Sequence, residues 1–177
     1  MTIDNIKTTV KYSNEEIVTA TRKVAERLNE KFKDINGAVT FLIVLDGALP
    51  FAAELMKHIN FDMKFDFIRS SSYVKTEKVS SPKINYSSLV NNEGKHVVII
   101  DDMIDSGETL SKIGKIIEAN KPASITLAIM FAKETRIKQS YEEVVAFDDK
   151  TTGFLVGFGL DYNKMYRNLP YILELET

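Results

Sequence analysis

Uninterrupted apolar runs alternate with amphipathic stretches along this chain. Val39 to Leu45 (VTFLIVL), Val97 to Ile100 (VVII) and Ser124 to Ala132 (SITLAIMFA) are long on β-branched residues and short on polar alternation. Such runs predict central strands of a parallel sheet, covered on both faces. The first is followed by a Gly-containing turn and a helix from about Phe51, with Phe51, Leu55 and Ile59 on one side. The second leads through a turn to a helix carrying Leu110, Ile113, Ile116 and Ile117. Ahead of both, Ser13-Asn14-Glu15-Glu16 is a capping box, and Ile17, Ala20, Val24, Leu28 and Phe32 continue it at helical spacing until about Asp34 to Gly37. Phe61 to Phe67 alternates strictly, with Phe61, Met63, Phe65 and Phe67 on one side, which predicts a half-exposed strand toward a sheet edge. The Ser-, Lys- and Asn-rich stretch 74–92, with one proline at Pro82, predicts a long mobile loop holding a weak hairpin around Lys83 to Tyr86. Glu143 to Phe147 and Tyr171 to Leu175 complete the predicted strands. Together these elements predict an α/β fold: one domain over residues 1–177, with a mostly parallel central sheet flanked by helices.

The second apolar run ends in Asp101-Asp102-Met103-Ile104-Asp105-Ser106-Gly107-Glu108-Thr109. Ligands of open α/β sheets bind beyond the carboxyl ends of the strands, so three acids at such an end mark a site. The Ser-Gly-x-Thr turn entering a helix offers backbone N–H groups, two hydroxyls and the positive end of the helix dipole, which together cradle a phosphate. Asp101 and Asp102 suit vicinal sugar hydroxyls or Mg²⁺, which prefers hard oxygen. Asp105, between the two, is placed to take a proton from a reacting group. Diol, phosphate and base describe a phosphoribosyl ligand.

Composition narrows the function classes. Lys plus Arg number 23 against 25 Asp plus Glu, and this balance argues against general nucleic-acid or membrane-surface binding. The absence of cysteine rules out disulfides and cysteine metal sites. No apolar run approaches membrane-spanning length and MTIDNIKTTVKYS lacks a signal-peptide core, so a cytoplasmic protein is expected. His58 and His96 fit no site and are expected at the surface. Gly157 and Gly159 lack the third glycine and the helix that a dinucleotide fingerprint needs.

The segment IIDDMIDSGETL resembles the ribose-phosphate and PRPP (phosphoribosyl pyrophosphate) signature of type I phosphoribosyltransferases, and the rest of the chain from about Val39 to Leu175 resembles their hypoxanthine-guanine branch. The resemblance implies the type I phosphoribosyltransferase fold with a small hood formed by chain-terminal segments, and a base-binding segment at about 133–170. It assigns ribose phosphate to residues 101–109, with Asp105 as general base. Pyrophosphate falls to Asp46, Gly47, Ser72, Tyr73, Arg136 and Arg167, with a cis peptide at Leu45–Asp46. Many members have Lys where this chain has Asp46. Lys133, Phe154, Leu155 and Asp161 are implied to meet the purine: Lys133 at its 6-oxygen, Phe154 by stacking, Leu155 through its main chain. Asp101, Asp102 and Asp161 are the implied magnesium residues. The implied activity converts hypoxanthine, with guanine as a further candidate base and no preference between them readable, to the nucleoside monophosphate with Mg²⁺, in a homodimer or homotetramer.

Other readings stay open on the sequence. One is a nucleotide-sensing regulatory protein on the same fold. Another is a phosphorelay receiver, suggested by the acidic strand end but silent on Ser106 to Thr109. A third is a sibling transferase for another base such as xanthine.

Overall fold

The computed structural model describes residues 2–74, 77–86, 92–134, 140–149 and 153–176. Its main sheet has six strands in the order β5-β4-β3-β6-β7-β8, comprising β3 (Val39–Leu45), β4 (Met63–Val74), β5 (Glu77–Tyr86), β6 (His96–Ile104), β7 (Ser124–Lys133) and β8 (Glu142–Asp149). All neighbours pair in parallel except β5, which returns antiparallel on β4.

Burial follows the parity of each strand. Phe41 and Ile43 of β3 join Val98 and Ile100 of β6 under α1 (Asn14–Phe32) and α2 (Leu49–Met56). On the opposite face Leu42, Val44, Val97 and Ile99 pack with Leu110, Ile113 and Ile117 of α3 (Glu108–Glu118). Helices on both faces explain why the central strands are apolar throughout.

The first helix begins at its predicted cap. The backbone N–H and the hydroxyl of Ser13 donate to Glu16 Oε2 at 2.8 and 2.7 Å, and Glu16 N–H donates back to Ser13 Oγ at 3.3 Å. These bonds, the backbone one first, hold the Glu16 carboxyl below its usual range. Ser13→Ala is expected to lower the thermal midpoint by about 2–4 °C at neutral pH. A depressed carboxyl contributes above its unfolded value, so the difference should shrink as pH falls through the carboxylate range. Melting curves of both proteins at two pH values check this.

Where a long loop is expected from Val74, the described residues 77–86 form strand β5 instead. Lys83 to Tyr86 does pair back, on Ser71 to Ile68, and Tyr73 and Val74 pair with Lys78 and Glu77 after a register shift. Pro82 lies in this edge strand, where a missing N–H is tolerated. Residues 75, 76 and 87–91 of the expected loop lie outside the described residues. The apolar side of β4 also departs from expectation: Phe65 and Phe67 are 54% and 36% exposed and meet edge-on at 5.6 Å, outside the clusters that the described helices cover.

A second sheet, in the order β1-β2-β10-β9, was not predicted strand by strand. It joins β1 (Thr2–Ile3), β2 (Ile6–Tyr12), β9 (Phe154–Val156) and β10 (Ile172–Leu175), all antiparallel. Both chain-terminal regions thus build one hood. Tyr12 of β2 stacks on Phe147 at 4.3 Å and on Phe131 at 5.6 Å, which docks the hood against β7 and β8. The histidines are half-buried rather than on the surface: His58 lies 3.2 Å from Glu54 Oε1 and His96 lies 2.7 Å from Ser124 Oγ. No described helix is long and apolar enough to cross a membrane.

Candidate active site

A cleft of about 510 Å³ opens beyond the carboxyl ends of β3 and β6 and is closed on one side by the hood. Parallel pairing of β3 and β6, with Ile43 abreast of Ile100, brings the turns after both strands to the same edge. Lining the cleft are Asp46, Gly47, Asp101, Asp102, Met103, Ile104, Asp105, Ser106, Gly107 and Thr109, together with Asp161 and Arg167 from the hood side. Twelve of the residues singled out in the sequence therefore share one cavity.

The acids differ in environment. Asp101 is buried at 6% exposure, and its Oδ1 accepts the Asp102 N–H at 3.0 Å. Burial, then the adjacent Asp102 charge, pushes its carboxyl well above the usual range. Burial also raises Asp102, while the Met103 N–H (2.9 Å from Oδ1) and Arg167 pull the other way. Asp105 is 73% exposed, and its Oδ1 lies 2.8 Å from Lys133 Nζ.

Two glycines set how closely the walls meet. A Cβ on Gly47 would lie 1.7 Å from Asp102 Oδ2 and 3.1 Å from Arg167 Nη1, so only glycine brings that turn against the acid. A Cβ on Gly159 would lie 2.0 Å from the Gly47 carbonyl oxygen, so the hood rests directly on the turn. The peptide between Leu45 and Asp46 is cis, as the resemblance implied. Gly107 precedes α3 with φ +88°, and its carbonyl accepts the Ser111 N–H at 3.0 Å. No side chain caps this end, which leaves the first turn of α3 directed at the cleft. The Glu108 N–H reaches Ser106 Oγ at 3.4 Å, and Glu108 is not among the residues lining the cleft.

Hood residues complete the site. Arg167 Nη2 lies 2.6 Å from Asp161 Oδ1, and Nη1 donates to the Gly159 carbonyl. Asp161 Oδ2 accepts the Lys164 N–H at 2.8 Å. Phe154 is 52% exposed, edge-on to Tyr162 at 6.0 Å, so it is not the core aromatic its type usually is. Leu155 is 5% exposed, so its side chain belongs to the core and only its main chain is left for a ligand. Lys133, Phe154 and Leu155 lie outside the wall of the cleft proper. Ser72 and Tyr73 fall within β4, and Arg136 lies outside the described residues.

The donor set suits magnesium. Adjacent carboxylates pressed into the wall near Arg167 supply hard oxygens and negative charge, and Mg²⁺ is commonly held by one or two carboxylates plus phosphate oxygens. Among the described residues no group of three or more ligating side chains converges, which leaves the remaining positions to substrate and water. Both Asp161 oxygens are engaged, so it fits this role only through water or a ligand.

The sequence reading missed Arg69 and Lys164, which also line the cleft. Arg69 Nη2 lies 2.7 Å from Asp46 Oδ1. It continues the odd-numbered side of β4 after Phe65 and Phe67, a signal present in the alternation itself.

Comparison with known proteins decides the family. The phosphoribosyl transferase domain matches residues 12–163. A hypoxanthine-guanine phosphoribosyltransferase of Streptococcus thermophilus is 40% identical over 164 residues, covering 91% of this chain and 89% of its own. This chain belongs to the phosphoribosyltransferase family. A crystal structure of a hypoxanthine-guanine phosphoribosyltransferase from Bacillus anthracis superposes with a TM-score of 0.84 at 31% identity, over 97% of this chain and 99% of that one. A Trypanosoma cruzi hypoxanthine phosphoribosyltransferase variant, complexed with the product IMP, superposes with a TM-score of 0.85 at 27% identity, over 99% and 94%. The acidic loop, the glycine turn and the hood described above thus belong to a phosphoribosyltransferase, and its fold is that of the solved hypoxanthine-guanine enzymes.

Proposed function

We propose that this phosphoribosyltransferase joins hypoxanthine or guanine to C1′ of PRPP, releasing pyrophosphate and IMP or GMP. The observation that carries the reading is the Lys133–Asp105 pair at 2.8 Å beside the cleft. A 6-oxopurine presents O6 and N7 as neighbours on one edge. An ammonium donating to O6 and a carboxylate accepting the N7 proton match that edge. Adenine would turn an amino donor toward Lys133 and leave both groups unsatisfied, at roughly 1–3 kcal/mol each. As a partly exposed pair, Lys133 and Asp105 hold each other by about 0–1 kcal/mol, so a base displaces the contact cheaply.

In this reading Asp101 and Asp102 accept hydrogen bonds from the ribose hydroxyls, and the turn 106–109 with the first turn of α3 grips the 5′-phosphate. Purine N9 bonds to C1′ as the N7 proton passes to Asp105, and the C1′–O bond breaks with its electron pair leaving on pyrophosphate. The ring becomes cation-like on the way, and the buried acids stabilise that charge. Gly47 and Arg167 receive the leaving group. Asp101 and Asp102 would hold magnesium, with Asp161 assisting through water or a ligand, and the ion would supply positive charge against the departing pyrophosphate. Phe154 stacks on the purine and main-chain groups near Leu155 meet its edge. Ser72, Tyr73 and Arg136 are assigned to pyrophosphate on resemblance alone. The same reading places the enzyme in the cytoplasm as a homodimer or homotetramer, supported by the exposed Phe65 and Phe67, and light scattering checks the assembly.

The test is a product assay with PRPP, Mg²⁺ and each of hypoxanthine, guanine, xanthine and adenine. Transfer to hypoxanthine and guanine is expected, with loss of turnover on chelating the metal. Transfer to adenine, or to xanthine alone, would overturn the base assignment. Nucleotide binding without turnover on any base would favour the regulatory reading.

A further inference from the structure

We propose that Arg69 is a pyrophosphate-binding residue and that Asp46 positions it, an inference that rests on the pyrophosphate end of the reading above. Among the residues lining the cleft, five acids (Asp46, Asp101, Asp102, Asp105 and Asp161) face three bases (Arg69, Lys164 and Arg167). A cleft with that balance takes a polyanion only if each cation is aimed at it. Asp46 is the acid nearest the Gly47 turn in sequence, and an isolated carboxylate there would repel the leaving group. It is not isolated. Parallel register sets Arg69 of β4 abreast of Leu45, the residue before Asp46, so the guanidinium reaches the turn and meets Asp46 Oδ1 at 2.7 Å.

Two observations separate this pair from an ordinary surface contact. Asp46 and Arg69 are 57% and 61% exposed, a setting in which ion pairs add little to stability, yet both line the cleft. Arg167, which Asp161 holds at 2.6 Å, also comes close to the turn: its Nη1 would lie 3.1 Å from a Cβ built on Gly47. Two arginines of the cleft, each paired with an aspartate, thus lie near the turn. The contact to Asp46 engages one N–H of a fork that has five, and the others are suited to phosphate oxygens. Asp46 thereby trades a repulsive charge for the orientation of an attractive one.

The experiment is calorimetric binding of magnesium pyrophosphate and of PRPP with Mg²⁺ to the wild-type protein and to Arg69→Gln, Arg69→Lys, Asp46→Asn and the Asp46→Asn/Arg69→Gln double variant. Thermal midpoints serve as the folding control. Arg69→Gln should weaken pyrophosphate binding by about 10–100-fold, the size of a lost charge-assisted contact, and leave the KM for hypoxanthine nearly unchanged. Arg69→Lys keeps the charge without the fork and should fall between. Asp46→Asn should weaken binding several-fold in the wild-type background but strengthen it in the Arg69→Gln background, where only its repulsion remains. Equal pyrophosphate affinity in the wild type and Arg69→Gln, or the same effect of Asp46→Asn in both backgrounds, overturns the inference alone. Failure of the wild-type protein to bind pyrophosphate or PRPP overturns both it and the functional reading.

Discussion

Asp105→Asn is expected to cut turnover by about 10²–10⁴ while PRPP binding changes little. The substitution keeps the shape of the side chain and an oxygen for Lys133, and removes the charge and with it the capacity to take a proton. Asp105 sits at the exposed end of the acidic loop, apart from the buried pair, so the ribose contacts proposed for Asp101 and Asp102 should survive the change. The measurement is steady-state kinetics with hypoxanthine, read as kcat and the KM for PRPP separately. A loss confined to KM, or turnover within a few-fold of wild type, would remove Asp105 from the proton-transfer step and leave it as a partner of Lys133.

Gly47→Ala is the second large effect, and it should fall on the sugar-phosphate end. The added Cβ would sit 1.7 Å from Asp102 Oδ2 and 2.6 Å from its Cγ, so the carboxylate must swing out of its place. The obstacle is a side-chain end, so the fold absorbs it. The site does not, because a displacement of about an ångström at a reacting centre costs about 10²-fold. We expect kcat/KM for PRPP to fall by that factor with a nearly unchanged thermal midpoint. Gly159→Ala provides the contrast. Its Cβ would meet the Gly47 carbonyl oxygen at 2.0 Å and the residue has φ +100°, so backbone must move and a strained conformation must be held. That variant should lose on the order of 1–3 kcal/mol of stability from strain alone. Kinetics and melting of the two variants separate a damaged site from a damaged scaffold.

The contrast also shows what the chain makes legible. The acidic loop and the strand before it were readable because a central parallel strand has one composition, and because the chemistry at its tip lies contiguous in sequence from Asp101 to Thr109. The Gly47 turn was readable for the same reason. Arg69 was not singled out, since its role depends on the register that sets it beside Leu45, and register is a relation between strands. Strand β5 was hidden by its Ser, Lys and Pro content, which resembles a loop until β4 supplies a partner. Of the hood, only β10 was readable as a strand in the sequence, and the sheet as a whole was foreseen through resemblance. Its strands are two to seven residues long and draw their order from pairing between segments far apart in the chain. Leu155 teaches a related lesson: a residue named for a ligand can contribute through its peptide group while its side chain serves the core.

In the hood, β10 lies between β2 and β9, so β2 pairs with a strand that follows the whole parallel sheet in the chain. On the ribosome the acidic loop and its flanking strands emerge before that partner does. A nascent chain would thus form the acidic loop first, and close the hood over it only once β10 is free to pair.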